Sequence, residues 1–238
     1  MRIIFRQLFD AESSTCTYLL ADPLTADAVL IDTVREHTGA YLTLLQELGL
    51  KLRWTLETHV HADHVTAAAS LRELAGSRAI ASTAAGADCA DLKVDDGSTI
   101  VFGNEVIRVI ATPGHTPGCV TYRWCDRVFT GDALLIDGCG RTDFQGGDAG
   151  TLYDSITTHL FTLPAETLVY PGHDYKGRRV SSIGEQKTGN PRLAGQTREE
   201  FVALMAALDL PPPRKIDLAL PANQACGRSI DTIEIQGV

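Results

Sequence analysis

Short apolar-rich stretches separated by turn residues fill the first third of the chain. Ile3 to Phe9, Thr15 to Leu20 and Ala28 to Ile31 predict strands, with a turn at Asp22 and Pro23 and the third stretch ending on Asp32. The period then changes. Tyr41, Leu44, Leu45 and Leu48 recur at helical spacing and predict a helix from His37 to Leu48, stopped by Gly49 before a strand from Arg53 to Glu57. Val65 to Ala75 is again helical, with Val65, Ala68, Ala69 and Leu71 on one side, and Arg78 to Ser82 reads as a strand. Ser98 to Phe102 and Glu105 to Ile110 flank Gly103 and Asn104 as a hairpin; Tyr122 to Cys125 and Val128 to Thr130 flank a turn expected at Asp126 and Arg127. A helix from Ala149 to Leu160, a strand from Leu168 to Tyr170 and a helix from Arg198 to Leu208, closed off by Pro211, Pro212 and Pro213, complete the pattern. Meanders mixed with helices predict an α/β fold in which helices cover sheets.

Composition sharpens this in a few places. A chain of 238 residues, 44% hydrophobic and 21% charged, is long enough for one substantial core, so a single domain over 1–238 is expected. The formal charge of -9, with no cluster of Lys and Arg, argues against nucleic acid as a partner. No apolar run reaches the roughly 20 residues of a membrane span, and MRIIFRQLFD lacks the features of a secretory signal. A cytoplasmic protein without a membrane partner is expected. Cys16, Cys89, Cys119, Cys125, Cys139 and Cys226 form no C-x-x-C pair, so neither a disulfide framework nor a zinc knuckle is expected, and most should be buried as small apolar residues. Cys139 and Cys226 stand out because DGCGR and QACGR are stretches able to approach a pocket.

The candidate chemistry gathers where strands end. Directly after the strand Arg53 to Glu57 comes Thr58-His59-Val60-His61-Ala62-Asp63-His64, four potential metal ligands within six residues. Residues two apart in an extended segment project to one side, so His59 and His61 suit one centre, with Asp63 and His64 near a second position. Three further segments follow strands and carry glycine beside a ligand-type residue: Thr112-Pro113-Gly114-His115-Thr116-Pro117-Gly118, Phe129-Thr130-Gly131-Asp132, and Tyr170-Pro171-Gly172-His173-Asp174. Their ordered recurrence predicts one metal site assembled from several loops. His37 and His159, in ordinary helical stretches, are expected to play no part.

At these residues the chain resembles the metallo-β-lactamase superfamily, whose series is H-x-H-x-D-H, a distal His, an Asp and a last His. The resemblance implies an αββα sandwich of two mixed sheets flanked by helices, with the metal at one edge. TGDALLIDGCGRTDFQ from Thr130 to Gln145, FTLP from Phe161, YPGHDY from Tyr170, NPRL from Asn190 and LPAN from Leu220 further resemble the persulfide dioxygenases of the ethylmalonic encephalopathy protein type. That family implies oxidation of glutathione persulfide by O2 and water to sulfite and glutathione. It implies one Fe(II) per subunit, held by His59, His115 and Asp132, with His61, Asp63, His64, His173 and Asp174 as outer groups. It also implies a homodimer, with residues from about 180 forming a short C-terminal extension that helps close the pocket.

Substrate carboxylates in an acidic chain call for a local cation. Arg141 is the expected grip, since a guanidinium holds a carboxylate at two points; pairing with Asp143 or Asp137 is the alternative for it. Tyr175 and Asn223 are expected pocket walls. The rival function is a binuclear glyoxalase II type hydrolase of S-lactoylglutathione, which shares the ligand-type residues but carries a larger C-terminal helical domain.

Overall fold

The computed structural model describes residues 3–213 and 215–228. Its contacts divide the chain into two compact units, the described residues of Met1–Val94, Val101–Val106 and Pro212–Val238 in the first and those of Asp95–Ile100 and Ile107–Pro211 in the second.

The first unit is built on a six-stranded sheet in the order β1 (Ile4–Phe9), β2 (Cys16–Ala21), β3 (Asp27–Ile31), β4 (Lys51–Leu56), β5 (Arg78–Ser82) and β6 (Leu92–Val94). The first three strands form the antiparallel meander that the turn residues predict, and β3 to β6 run parallel. Parallel neighbours require crossovers, and the helices α1 (Thr38–Glu47) and α2 (Ala68–Ala75) supply those from β3 to β4 and from β4 to β5. Helical spacing turns Tyr41 and Leu45 of α1 inward, where they join Leu19, Leu30 and Leu71 in one apolar cluster. Burying each such side chain contributes about 1.5–3 kcal/mol. The predicted start of α2 at Val65 is three residues early. Thr66 N donates to Asn223 Oδ1 and Ala67 N to Thr33, so these donors are satisfied outside a helix and the winding begins at Ala68.

The second unit's sheet has the order β12 (Ser181–Ser182), β11 (Leu168–Pro171), β10 (Arg127–Gly131), β9 (Val120–Trp124), β8 (Glu105–Ala111) and β7 (Thr99–Phe102). It is also mixed, with β10 and β11 parallel and β8 to β10 antiparallel. The β9–β10 turn falls one residue earlier than expected. Trp124 pairs with Arg127, so Cys125 and Asp126 make the turn, and Cys125 takes a positive φ of 53°. The helix predicted from Ala149 to Leu160 is α3 (Ala149–Ser155), capped by Asp148 accepting from Thr151 N, followed by a wider i to i+5 turn over Ile156–Leu160. Leu152, Ile156 and Leu160 pack with Phe161, Phe201 and Met205. Helices α4 (Ile183–Gly189) and α5 (Arg198–Ala206) belong to this unit, and Thr197 with Glu200 forms a complete capping box on α5.

Three expectations need correction. Strands β6 and β12 and helices α4 and α6 (Ile216–Gln224) lie in segments for which the pattern predicts no element; α6 contains Pro221, which costs a helical hydrogen bond and masks the pattern. Cys89 and Cys226 form a disulfide across a separation of 137 residues, too distant for spacing to reveal. Most of the cysteines are buried, as expected, but Cys139, in a stretch expected to be able to approach a pocket, is a core residue beside Met205, and burial pushes its thiol up to about 11.

Candidate metal centre

In the first unit the histidine-rich loop follows the carboxyl end of parallel strand β4, where open α/β sheets place their ligands. Asp32, which ends β3 in a left-handed conformation with φ 54°, anchors it. Its Oδ1 accepts from Thr58 N at 2.7 Å and its Oδ2 from Thr58 Oγ1 at 2.9 Å. With its proton directed to Asp32, Thr58 Oγ1 accepts from His59 Nδ1 at 3.0 Å. This relay assigns the proton of His59 to Nδ1 and the lone pair to Nε2, the state a metal ligand requires.

His61 and His64 stand in a row with His59, their ring centres 4.0 and 4.4 Å apart in succession. His61 Nε2 lies 3.2 Å from Asp32 Oδ1 and 3.5 Å from Glu57 Oε2. Burial alone would lower the affinity of His61 for its proton, but the Asp32 carboxylate, aided by Glu57 and Asp63, raises it to about 10. His64 Nδ1 donates to Asp63 Oδ2 at 2.9 Å, and its Nε2 is buried with no hydrogen-bond partner among the described residues. His61, Asp63 and His64 each offer one ligand atom within 4.8 Å of the others.

In the second unit His115 and Asp132 face one another. His115 Nδ1 donates to the backbone carbonyl of Arg141 at 2.6 Å, which leaves Nε2 as an acceptor 3.7 Å from Asp132 Oδ2. Two acceptors so placed ask for a cation between them, either a proton or a metal. Asp132 Oδ1 accepts from His173 Nδ1 at 2.6 Å, so the carboxylate is oriented from its far side. Both ligand-type residues therefore have outer partners that fix tautomer and angle, the arrangement of a metal site. Glycine is needed where the backbone closes on them. A Cβ on Gly140 would lie 2.5 Å from the Asp132 carbonyl oxygen and 2.8 Å from the His115 ring, and one on Gly172 would lie 2.7 Å from Asp132 Oδ1.

The remaining candidates divide differently. Arg141 is held by Asp143 through two bonds of 2.7 Å, donates to the carbonyls of Leu210 and Pro211, and stacks on Phe144. The alternative pairing with Asp143 is thus the one the structure forms, while Asp137 pairs with Arg178. Tyr175 is 69% exposed and lies parallel to the His173 ring. Asp174 accepts from Lys176 N. Asn223 is buried and its amide is committed to backbone: Nδ2 donates to the His61 and His64 carbonyls and Oδ1 accepts from Thr66 N. It holds the histidine loop in shape. Replacing it with alanine removes three hydrogen bonds to buried backbone groups, and a loss of about 2–3 kcal/mol is expected in denaturant unfolding. Sequence reasoning missed Asp32 as the anchor of the loop, although an Asp closing an apolar strand beside a ligand loop was a usable signal. Asn223 was noticed, but its partners lie far away along the chain.

Residues 12–173 match the model of the family described as the metallo-beta-lactamase superfamily. The chain is 50% identical over 228 residues to the Homo sapiens protein named "Persulfide dioxygenase ETHE1, mitochondrial", covering 94% of this chain and 89% of that protein. The Mus musculus protein of the same name is also 50% identical. Among solved structures, that of ETHE1 from Myxococcus xanthus superposes with a TM-score of 0.93 at 56% identity, covering 94% of this chain and all of that one. A metallo-beta-lactamase from Staphylococcus aureus, 23% identical, shares the fold with a TM-score of 0.89 over 96% of this chain and 74% of that one. The two mixed sheets with their helices are those of the metallo-beta-lactamase fold, and the chain belongs to the metallo-beta-lactamase superfamily and, within it, to the family of the ETHE1 persulfide dioxygenases.

Proposed function

We propose that this chain is an iron-dependent dioxygenase of glutathione persulfide, consuming O2 and water and releasing sulfite and glutathione. The observation that carries the reading is its identity with persulfide dioxygenases over almost the whole of both chains. His59, His115 and Asp132 would hold the metal, two imidazoles and one carboxylate, the donor set of iron(II) oxygenases that leaves positions open for both reactants. When bound, iron(II) supplies the redox chemistry that turns O2 on the terminal sulfur.

The chain's own residues do the rest. Asp32, through Thr58, keeps the His59 lone pair on Nε2; the Arg141 carbonyl does the same for His115; His173 holds Asp132. His61, Asp63, His64 and Asp174 are outer groups in this reading. Commitment of His61 Nε2 to Asp32 and Glu57 favours one metal over the binuclear pair of a glyoxalase II type hydrolase. Tyr175, on the exposed rim beside His173, and the Arg141 guanidinium, after exchange of Asp143 for a substrate carboxylate, would meet the glutathione moiety. The segment from about 180 onward would help close the pocket, and a cytoplasmic homodimer is proposed; no helix among the described residues is long and apolar enough to cross a membrane.

The reading is tested by metal content after anaerobic purification. One iron per chain, with no detectable hydrolysis of S-lactoylglutathione, is expected; two metals per chain with rapid hydrolysis would replace it by the rival. Arg141→Ala should keep its metal, because the carbonyl that holds His115 remains. Its KM for glutathione persulfide should rise roughly tenfold, the loss of one charge-assisted contact. An unchanged KM removes Arg141 from the pocket.

A further inference from the structure

We propose that a small apolar cavity behind the histidine loop binds O2 and delivers it toward the metal. The proposal rests on the dioxygenase reading given above. The cavity has a volume of about 20 Å3 and lies wholly within the first unit, with His59 and His61 in its wall. Half of its other lining residues are alanines, Ala68 of α2, Ala79 and Ala81 of β5, and Ala85, Ala87 and Ala90 of the segment before β6. A larger side chain at any of these positions would occupy the space that their methyl groups leave open.

Its chemistry selects the occupant. Several polar groups of the lining are already engaged. Thr66 Oγ1 donates to Glu57 Oε1, His61 faces Asp32, and Asn223 is spent on the loop backbone. A resident water needs about two to four hydrogen bonds, and apolar cavities stay dry. Glutathione persulfide is far too large for the space. Of the reactants in this reaction, O2 is the small apolar one, and its gain on leaving water needs no donor or acceptor. Cys226, tied to Cys89, supplies part of the wall.

Xenon is the probe, because it reports the site without turnover. Crystals of the full chain pressurised with xenon should show one atom beside Ala79, Ala81 and Ala87. Two filling variants, Ala81→Val and Ala87→Leu, should lose that atom. They should keep full iron and an unchanged KM for glutathione persulfide, while the KM for O2 rises roughly fivefold or more, the mark of a changed approach and not of changed chemistry. Absence of xenon from the wild-type cavity overturns the proposal. So does a wild-type KM for O2 in whichever filled variant folds and has lost its xenon. If iron-loaded wild type takes up no O2 with persulfide, the dioxygenase reading fails instead, and the xenon result still stands as a measurement of the cavity.

Discussion

Asp132→Ala is expected to lose metal and activity together while the chain stays folded. Asp132 is 8% exposed and both carboxylate oxygens are in use, one taken by His173 and the other facing His115. Loss of an outer partner of a metal site typically costs ten- to a hundredfold, so loss of a direct ligand should cost roughly a thousandfold or more in persulfide-dependent O2 uptake. Bound iron should fall to background after dialysis. Removing the carboxylate also removes the hydrogen bond from His173 Nδ1, a penalty of about 1–3 kcal/mol that lowers the unfolding midpoint without abolishing folding. Asp132→Asn keeps the acceptor for His173 and should recover most of that stability but little of the iron. Wild-type iron content in the alanine variant would remove Asp132 from the ligand set.

Gly140→Ala is expected to damage the same site from the backbone side. The added methyl has nowhere to go, since it would stand 2.5 Å from the Asp132 carbonyl oxygen and 2.8 Å from Cγ and Nδ1 of His115. Ordinary contacts are near 3.5–4 Å, so the loop that carries the Arg141 carbonyl has to retreat from His115. The bond from His115 Nδ1 to that carbonyl, 2.6 Å in the wild type, then lengthens, and the imidazole loses its fixed tautomer. A displacement approaching an ångström in a catalytic array costs about a hundredfold. Iron affinity and turnover should both fall by that order, with far-ultraviolet circular dichroism unchanged. Wild-type turnover would show that the loop relaxes elsewhere and that His115 does not depend on Arg141.

These two residues also show how much was legible in the sequence. Asp132 stands out because a glycine and an apolar strand precede it and two other loops repeat the pattern. The strands that carry the site are short apolar runs bounded by turn residues, and all of β1 to β5 and β7 to β11 were legible on that ground. Gly140 was legible as part of a motif, but its close approach to His115 belongs to tertiary packing. Asp32 closes an apolar strand and looks like a turn residue, although it is the acceptor on which Thr58 and His59 depend. Asn223 and Cys226 act on partners more than a hundred residues away in the chain, on the histidine loop and on Cys89. No local pattern encodes such pairings. Pro221 points against a helix that tertiary contacts sustain, where Ala219 and Ala222 bury against Val65. For Arg141 the sequence offers a substrate carboxylate or a neighbouring aspartate as partner, and the carboxylate two residues on, Asp143, is the one it takes.

The central claim is a single-metal dioxygenase, and it stands on one measurement. Iron-loaded protein is mixed with glutathione persulfide in a closed cell while O2 and sulfite are followed together. One sulfite formed for each O2 consumed, at a rate proportional to bound iron, is the predicted result. Iron-loaded protein that consumes no O2, or consumes it without forming sulfite, would contradict the account.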